Sequence, residues 1–145
     1  MRLILCASLV ALFASHASAA TSDAAAAAAL EKGAIVTPSG LVYRSIKDGT
    51  GASPRPTDAV KVHYRGTFPD GREFDSSYKR NEPTEFPLNR VIKCWTEGVG
   101  RMKVGGKARL TCPPEIAYGE RGAGAAVPPN ATLHFEVELL SIAGQ

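Results

Sequence analysis

The chain has 145 residues, enough for one domain of ordinary size, with 44% hydrophobic residues to fill a core. Its 21% charged residues are too few and too mixed for a disordered acid or base. The formal charge of +3 is a weak excess spread along the chain, which gives no footprint for nucleic acid.

The first residues read as a leader. Arg2 supplies a positive start, Leu3 to Phe13 is an apolar run too short to span a bilayer comfortably, and Ala17-Ser18-Ala19 has a small-x-small cleavage pattern. A signal peptide is therefore expected over residues 1–19, against the alternative of a buried N-terminal helix. The mature chain would start at Ala20, be periplasmic or secreted, and carry no membrane span. Cys6 would leave with the leader. Residues 20–38 are alanine-rich and read as a linker, because Thr21 to Leu30 has helix-forming residues but no apolar face. The turn signal Pro38-Ser39-Gly40 leads into a domain over 39–145, whose first ordered residues are expected near Ile35.

Strand signals then come in short runs. Leu41 to Ile46 is the first, followed by a Gly/Pro/Asp/Ser loop from Lys47 to Pro56. Val60, Val62 and Tyr64 alternate with Lys61, His63 and Arg65, as in a half-buried strand. Pro69-Asp70-Gly71 is a hairpin-type turn, with Glu73 to Ser77 and Thr84 to Leu88 as short strand candidates. Ile92, Trp95, Val99 and Met102 form a stripe at helical spacing, which Gly105-Gly106 is expected to end as a left-handed cap. Lys107 to Cys112 alternates again, and Pro114 to Gly119 resembles a single helical turn. Leu133, Phe135, Val137 and Leu139 share one face of a final strand, with His134, Glu136 and Glu138 on the other. The sum is an α+β domain: an antiparallel sheet with one helix across a face.

Several chemistries are missing. There is no G-x-S-x-G elbow, and His16, His63 and His134 are not spaced for a metal site. The Gly100 to Lys107 stretch has its lysine one place late for a phosphate loop, and Ala108 replaces the required Ser or Thr. No cofactor and no metal are expected. Cys94 and Cys112 remain after leader removal. In an oxidising compartment they are either a disulfide or two buried thiols acting as small apolar residues. The chain is thus a binding module or an enzyme that needs no acid–base group.

The blocks Val62-His63-Tyr64-Arg65-Gly66, Gly71 to Ser77, Val91 to Gly98, Met102 to Gly106, Pro113 to Gly119 and Val127 to Leu133 follow one another in register. Over roughly residues 39 to 142 the chain resembles the FK506-binding-protein family, most in the style of exported bacterial members related to the macrophage infectivity potentiator. The resemblance implies a twisted antiparallel sheet wrapped around a short helix, and peptidyl-prolyl cis–trans isomerase activity. It implies catalytic roles for Tyr64, Phe74, Asp75, Ile92, Trp95, Tyr118 and Phe135, with Arg80, Phe86, Val91 and Val127 touching substrate. Trp95 would be the pocket floor, Arg80 would sit near Asp75 at the rim, and the Ile92 N–H and Tyr118 hydroxyl would hold substrate carbonyls. Implied partners are proline-containing polypeptides and macrolides of the FK506 and rapamycin type.

Each of these residues also has a plainer role: Trp95 and Phe135 as core, Asp75 as a backbone cap, Tyr118 as a turn aromatic. The sequence departs from the family pattern at Thr84, where many relatives carry an aromatic, and at Ala123 and Ala126, where bulkier residues are usual. The segment before Val91 is one residue short, and Cys94 replaces a glycine before the tryptophan. These changes thin the rim and leave the floor. The long helical dimerisation segment of some exported relatives is missing, so a monomer is expected. A non-catalytic proline-peptide binder, or a secreted effector, is the alternative to an isomerase of exported proteins.

Overall fold

The computed structural model describes residues 19–144, with side chains from residue 23 onward. The expected leader, 1–19, lies outside the described residues except for its last position. Helix α1 (Ala19–Ala29) is followed by strands β1 (Ala34–Val36), β2 (Val42–Lys47), β3 (Ala59–Thr67), β4 (Glu73–Ser76) and β5 (Thr84–Pro87). Then come helix α2 (Lys93–Gly100), β6 (Lys107–Cys112) and β7 (Leu133–Ile142). Short 3₁₀ turns at Leu88–Arg90 and Pro114–Ile116 precede α2 and follow β6. The expected α+β architecture is the one found.

The strands form one antiparallel sheet in the order β1-β2-β6-β7-β3-β4. Strand β3 is its hinge. One edge pairs with β7 along its whole length, and the other is shared between β5, from Ala59 to Val62, and β4, from Arg65 to Thr67. The alternation read from the sequence is realised: Val60, Val62 and Tyr64 are buried, as are Leu133, Phe135, Val137 and Leu139 on β7. Helix α2 lies on this face, with Trp95 and Val99 turned into the core. A Cβ on Gly98 would meet Leu110 Cδ2 at 2.7 Å, so glycine here lets α2 approach β6 closely. Cys94 and Cys112 form a disulfide across that contact, with Cα atoms 5.8 Å apart, which settles the alternatives that the sequence left open.

Two expectations need correction. Helix α2 ends at Gly100, capped by Arg101 in ordinary helical conformation; Gly105, at φ +91°, serves a turn further on. The alanine-rich segment is not a bare linker. Alanine's high helix propensity makes it a helix without an apolar stripe, and its small side chains let Ala28 dock, only 6% exposed, while Glu31 just beyond pairs with Arg44 of β2 at 3.0 Å. Strand β1 pairs with β2, so ordered structure begins before residue 39. The face of β7 opposite Phe135 is partly covered. His134 is 9% exposed and its Nδ1 lies 2.8 Å from the Thr111 Oγ1 of β6.

Candidate active site

A cavity of about 300 Å³ opens between α2 and the β3–β4–β5 edge of the sheet. Its lining comes from many elements: Tyr64 of β3, Phe74 and Asp75 of β4, Phe86 of β5 and Phe135 of β7. Arg90, Val91 and Ile92 lead into α2, Trp95 stands in its first turn, and Tyr118 comes from the loop after β6. Such a set assembles only when distant strands are in register.

Trp95 is at the centre. It is 4% exposed and meets Tyr64, Phe86 and Phe135 edge-on, with centroids 5.2, 5.4 and 5.4 Å away. Phe74 in turn stands edge-on to Phe135 at 5.6 Å. Each such pair adds about 0.5–1.5 kcal/mol beyond its buried area. Gly66 makes the last contact possible: a Cβ there would lie 2.5 Å from Phe74 Cζ and 3.0 Å from Phe135 Cε1. The Trp95 Nε1 is buried without a hydrogen-bond partner among the described residues.

The polar groups at the rim close on one another. The Tyr64 hydroxyl donates to Asp75 Oδ2 at 2.5 Å, and Arg80 donates to Asp75 Oδ1 at 2.8 Å and to the Tyr64 oxygen at 3.0 Å. Burial works to raise the Asp75 carboxyl, but hydrogen bonds from Tyr64 and Arg80 and the guanidinium charge outweigh it, so the group sits below the usual carboxylate range. Burial, and then the bond to Asp75, pushes the Tyr64 hydroxyl up; burial and the Asp75 charge do the same for Tyr118. The Ile92 N–H, at the N-cap of α2, and the Tyr118 hydroxyl make no hydrogen bond among the described residues. Other donors of the lining are unpaired as well. Tyr118 is 39% exposed.

The cavity therefore brings together Tyr64, Phe74, Asp75, Phe86, Val91, Ile92, Trp95, Tyr118 and Phe135. Arg80 does not line it and is bonded to Asp75 and Tyr64 behind the lining. Its second amino group also reaches the Thr84 hydroxyl at 3.4 Å. Val127 lies outside the lining: it is 2% exposed and bridges to Ala123 across a tight loop, which spends its side chain on the core. Arg90 lines the cavity and was not anticipated. It ends an irregular turn, where periodicity gives no signal, and its place immediately before Val91 was the available clue.

The profile of the FKBP-type peptidyl-prolyl cis-trans isomerase family matches residues 51–140. The chain belongs to that family. A protein of Aeromonas hydrophila named FKBP-type peptidyl-prolyl cis-trans isomerase FkpA is 56% identical over 117 residues, 81% of this chain and 43% of its own length. FK506-binding protein 1 of Rhizopus delemar is 50% identical over 106 residues, 71% of this chain and 98% of its own. The crystal structure of FkpA from Escherichia coli superposes with a TM-score of 0.82 at 47% identity, over 84% of this chain and 57% of that one. The FKBP-type chain spans about half the length of the bacterial curated relatives it matches.

Proposed function

We propose that this chain is a peptidyl-prolyl cis–trans isomerase and that the aromatic cavity over Trp95 is its active site. The observation that carries the reading is the combination of an apolar floor with two unspent donors, the Ile92 N–H and the Tyr118 hydroxyl, at its edge.

The reaction asks for little else. Resonance holds a peptide bond planar behind a barrier of about 18–20 kcal/mol. Twisting an X–Pro amide breaks that resonance and makes its carbonyl less polar. A pocket walled by Tyr64, Phe74, Phe86, Trp95 and Phe135 is a poorer environment than bulk water for the planar, polar form, so the twisted form gains relative to it. The proline ring fills the apolar space over Trp95. The Ile92 N–H and Tyr118 hydroxyl hold neighbouring carbonyls and fix the segment about the rotating bond. No bond breaks, so no nucleophile or general base is required of the lining residues, and the Asp75 carboxylate is already held by Tyr64 and Arg80. About 4 kcal/mol of preferential binding to the twisted state corresponds to a thousandfold acceleration.

The family assignment and the FK506-binding name of a relative support proline-containing polypeptides as substrates and FK506-type macrolides as competitors. We further propose that residues 1–19 are a cleaved leader and that the chain acts on exported proteins, periplasmic or secreted, as a monomer. Among the described residues no helix is long and apolar enough to cross a membrane. A short Leu–Pro peptide tests the function: saturable acceleration of its isomerisation, abolished by a competing macrolide, is expected. Peptide binding without acceleration would instead make the chain a proline-segment binder.

A further inference from the structure

Among the residues lining the cavity two are charged, Asp75 and Arg90, and they differ in what they face. The Asp75 carboxylate is spent: Arg80 pairs with it at 2.8 Å and the Tyr64 hydroxyl caps its other oxygen. Arg90 has no ion-pair or hydrogen-bond partner among the described residues, and it is exposed. It ends the 3₁₀ turn directly before Val91 and Ile92, two further lining residues, so its backbone is fixed at the cavity two residues from the free Ile92 N–H. The remaining lining residues are uncharged. The cavity mouth thus carries one uncompensated positive charge above an apolar floor.

We propose that Arg90 is a specificity-determining residue that favours proline segments carrying an acidic side chain next to the X–Pro pair. The inference rests on the isomerase reading of the same cavity. A carboxylate flanking a bound X–Pro pair is attracted to Arg90 and meets no free acid in the lining, whereas a lysine there is repelled. Arg90 suits the task, because its planar guanidinium grips a carboxylate by paired donors. The site is open to water, so the preference is a matter of a few-fold per charge.

Trp95 is the single tryptophan of the chain, so its fluorescence reports occupancy of this cavity directly. Peptides with a constant Leu–Pro–Phe core and flanking Glu, Gln or Lys would be titrated into the mature chain, and kcat/KM for isomerisation measured on the same series. The Glu peptide should bind about three- to tenfold more tightly than the Lys peptide at low salt, with the ratio falling towards one at 1 M salt, where the Debye length is about 3 Å. Arg90→Gln should bring the low-salt ratio close to one, and Arg90→Glu should reverse it. Equal binding of Glu and Lys peptides by the unaltered chain, or a preference that survives Arg90→Gln, would overturn the proposal. The two readings fail separately: binding preference without acceleration of any peptide removes the isomerase and leaves Arg90 selecting, while acceleration blind to flanking charge removes the role of Arg90 alone.

Discussion

Trp95 and Phe135 meet with their ring planes at 90° and their centroids 5.4 Å apart, one ring from α2 and the other from β7. That contact joins the floor of the cavity to the core of the domain. Trp95→Ala is therefore expected to remove both substrate affinity and about 3–5 kcal/mol of stability, the usual loss for a buried aromatic. Tyr118→Phe should leave stability within about 0.5 kcal/mol, as for an exposed group, and lower kcat/KM by removing a carbonyl donor. Urea melts of the two variants check this; a larger loss of stability in Tyr118→Phe would place the floor elsewhere.

The rim predicts a flat pH profile. Asp75 is held below the usual carboxylate range and Tyr64 and Tyr118 are pushed above the usual phenol range, so none of the three titrates near neutrality. The rate per enzyme should be nearly constant from about pH 6 to 8. A bell centred near pH 7 would contradict a mechanism without proton transfer.

The disulfide between Cys94 and Cys112 fastens the first turn of α2, next to Trp95, to the last residue of β6, and both sulfurs are fully buried. Loop-closure entropy over a separation of 18 residues gives about 3 kcal/mol of stabilisation. The double variant Cys94→Ala/Cys112→Ala should lose at least that in denaturant melts. Intact mass after alkylation without reduction should show no added groups, whereas two per chain would mean free thiols.

How much of this was legible in the sequence depends on the kind of signal. Strand β3 and strand β7 announced themselves because period-two alternation is a local consequence of one buried face. The position of α2 followed from Trp95 and Val99, but its end did not, since Gly105 serves a later turn. The docking of helix α1 was not legible, because alanine carries helix propensity without a moment and the packing depends on parts of the sheet that no local window contains. In the cavity, the aromatic residues were recognisable through motif blocks in register. Arg90 and the placement of Val127 were not, because whether a loop side chain faces a cavity or the core is decided by tertiary contacts.

His134 offers a test of that hidden second face. Burial, reinforced by the Arg109 charge and opposed by Glu31, lowers its basicity in the folded state. The unfolded chain then takes up a proton near pH 6.5 that the folded chain refuses until lower pH, so stability should fall as pH drops below about 6.5. His134→Asn, which retains a polar partner for Thr111, should flatten this part of the curve. Urea midpoints at pH 7.5 and 5.5 that shift equally in both proteins would mean that His134 is solvated.

The most direct test of the cavity as an isomerase site is exchange spectroscopy on a Leu–Pro peptide with the mature chain present well below stoichiometry. Uncatalysed interconversion takes tens to hundreds of seconds at 25 °C, too slow for cis–trans exchange peaks on a sub-second mixing time. The account predicts that such peaks emerge at substoichiometric protein, scale with its concentration, and vanish when a macrolide fills the cavity. Exchange that stays at the uncatalysed rate, with peptide demonstrably bound against Trp95, would contradict it.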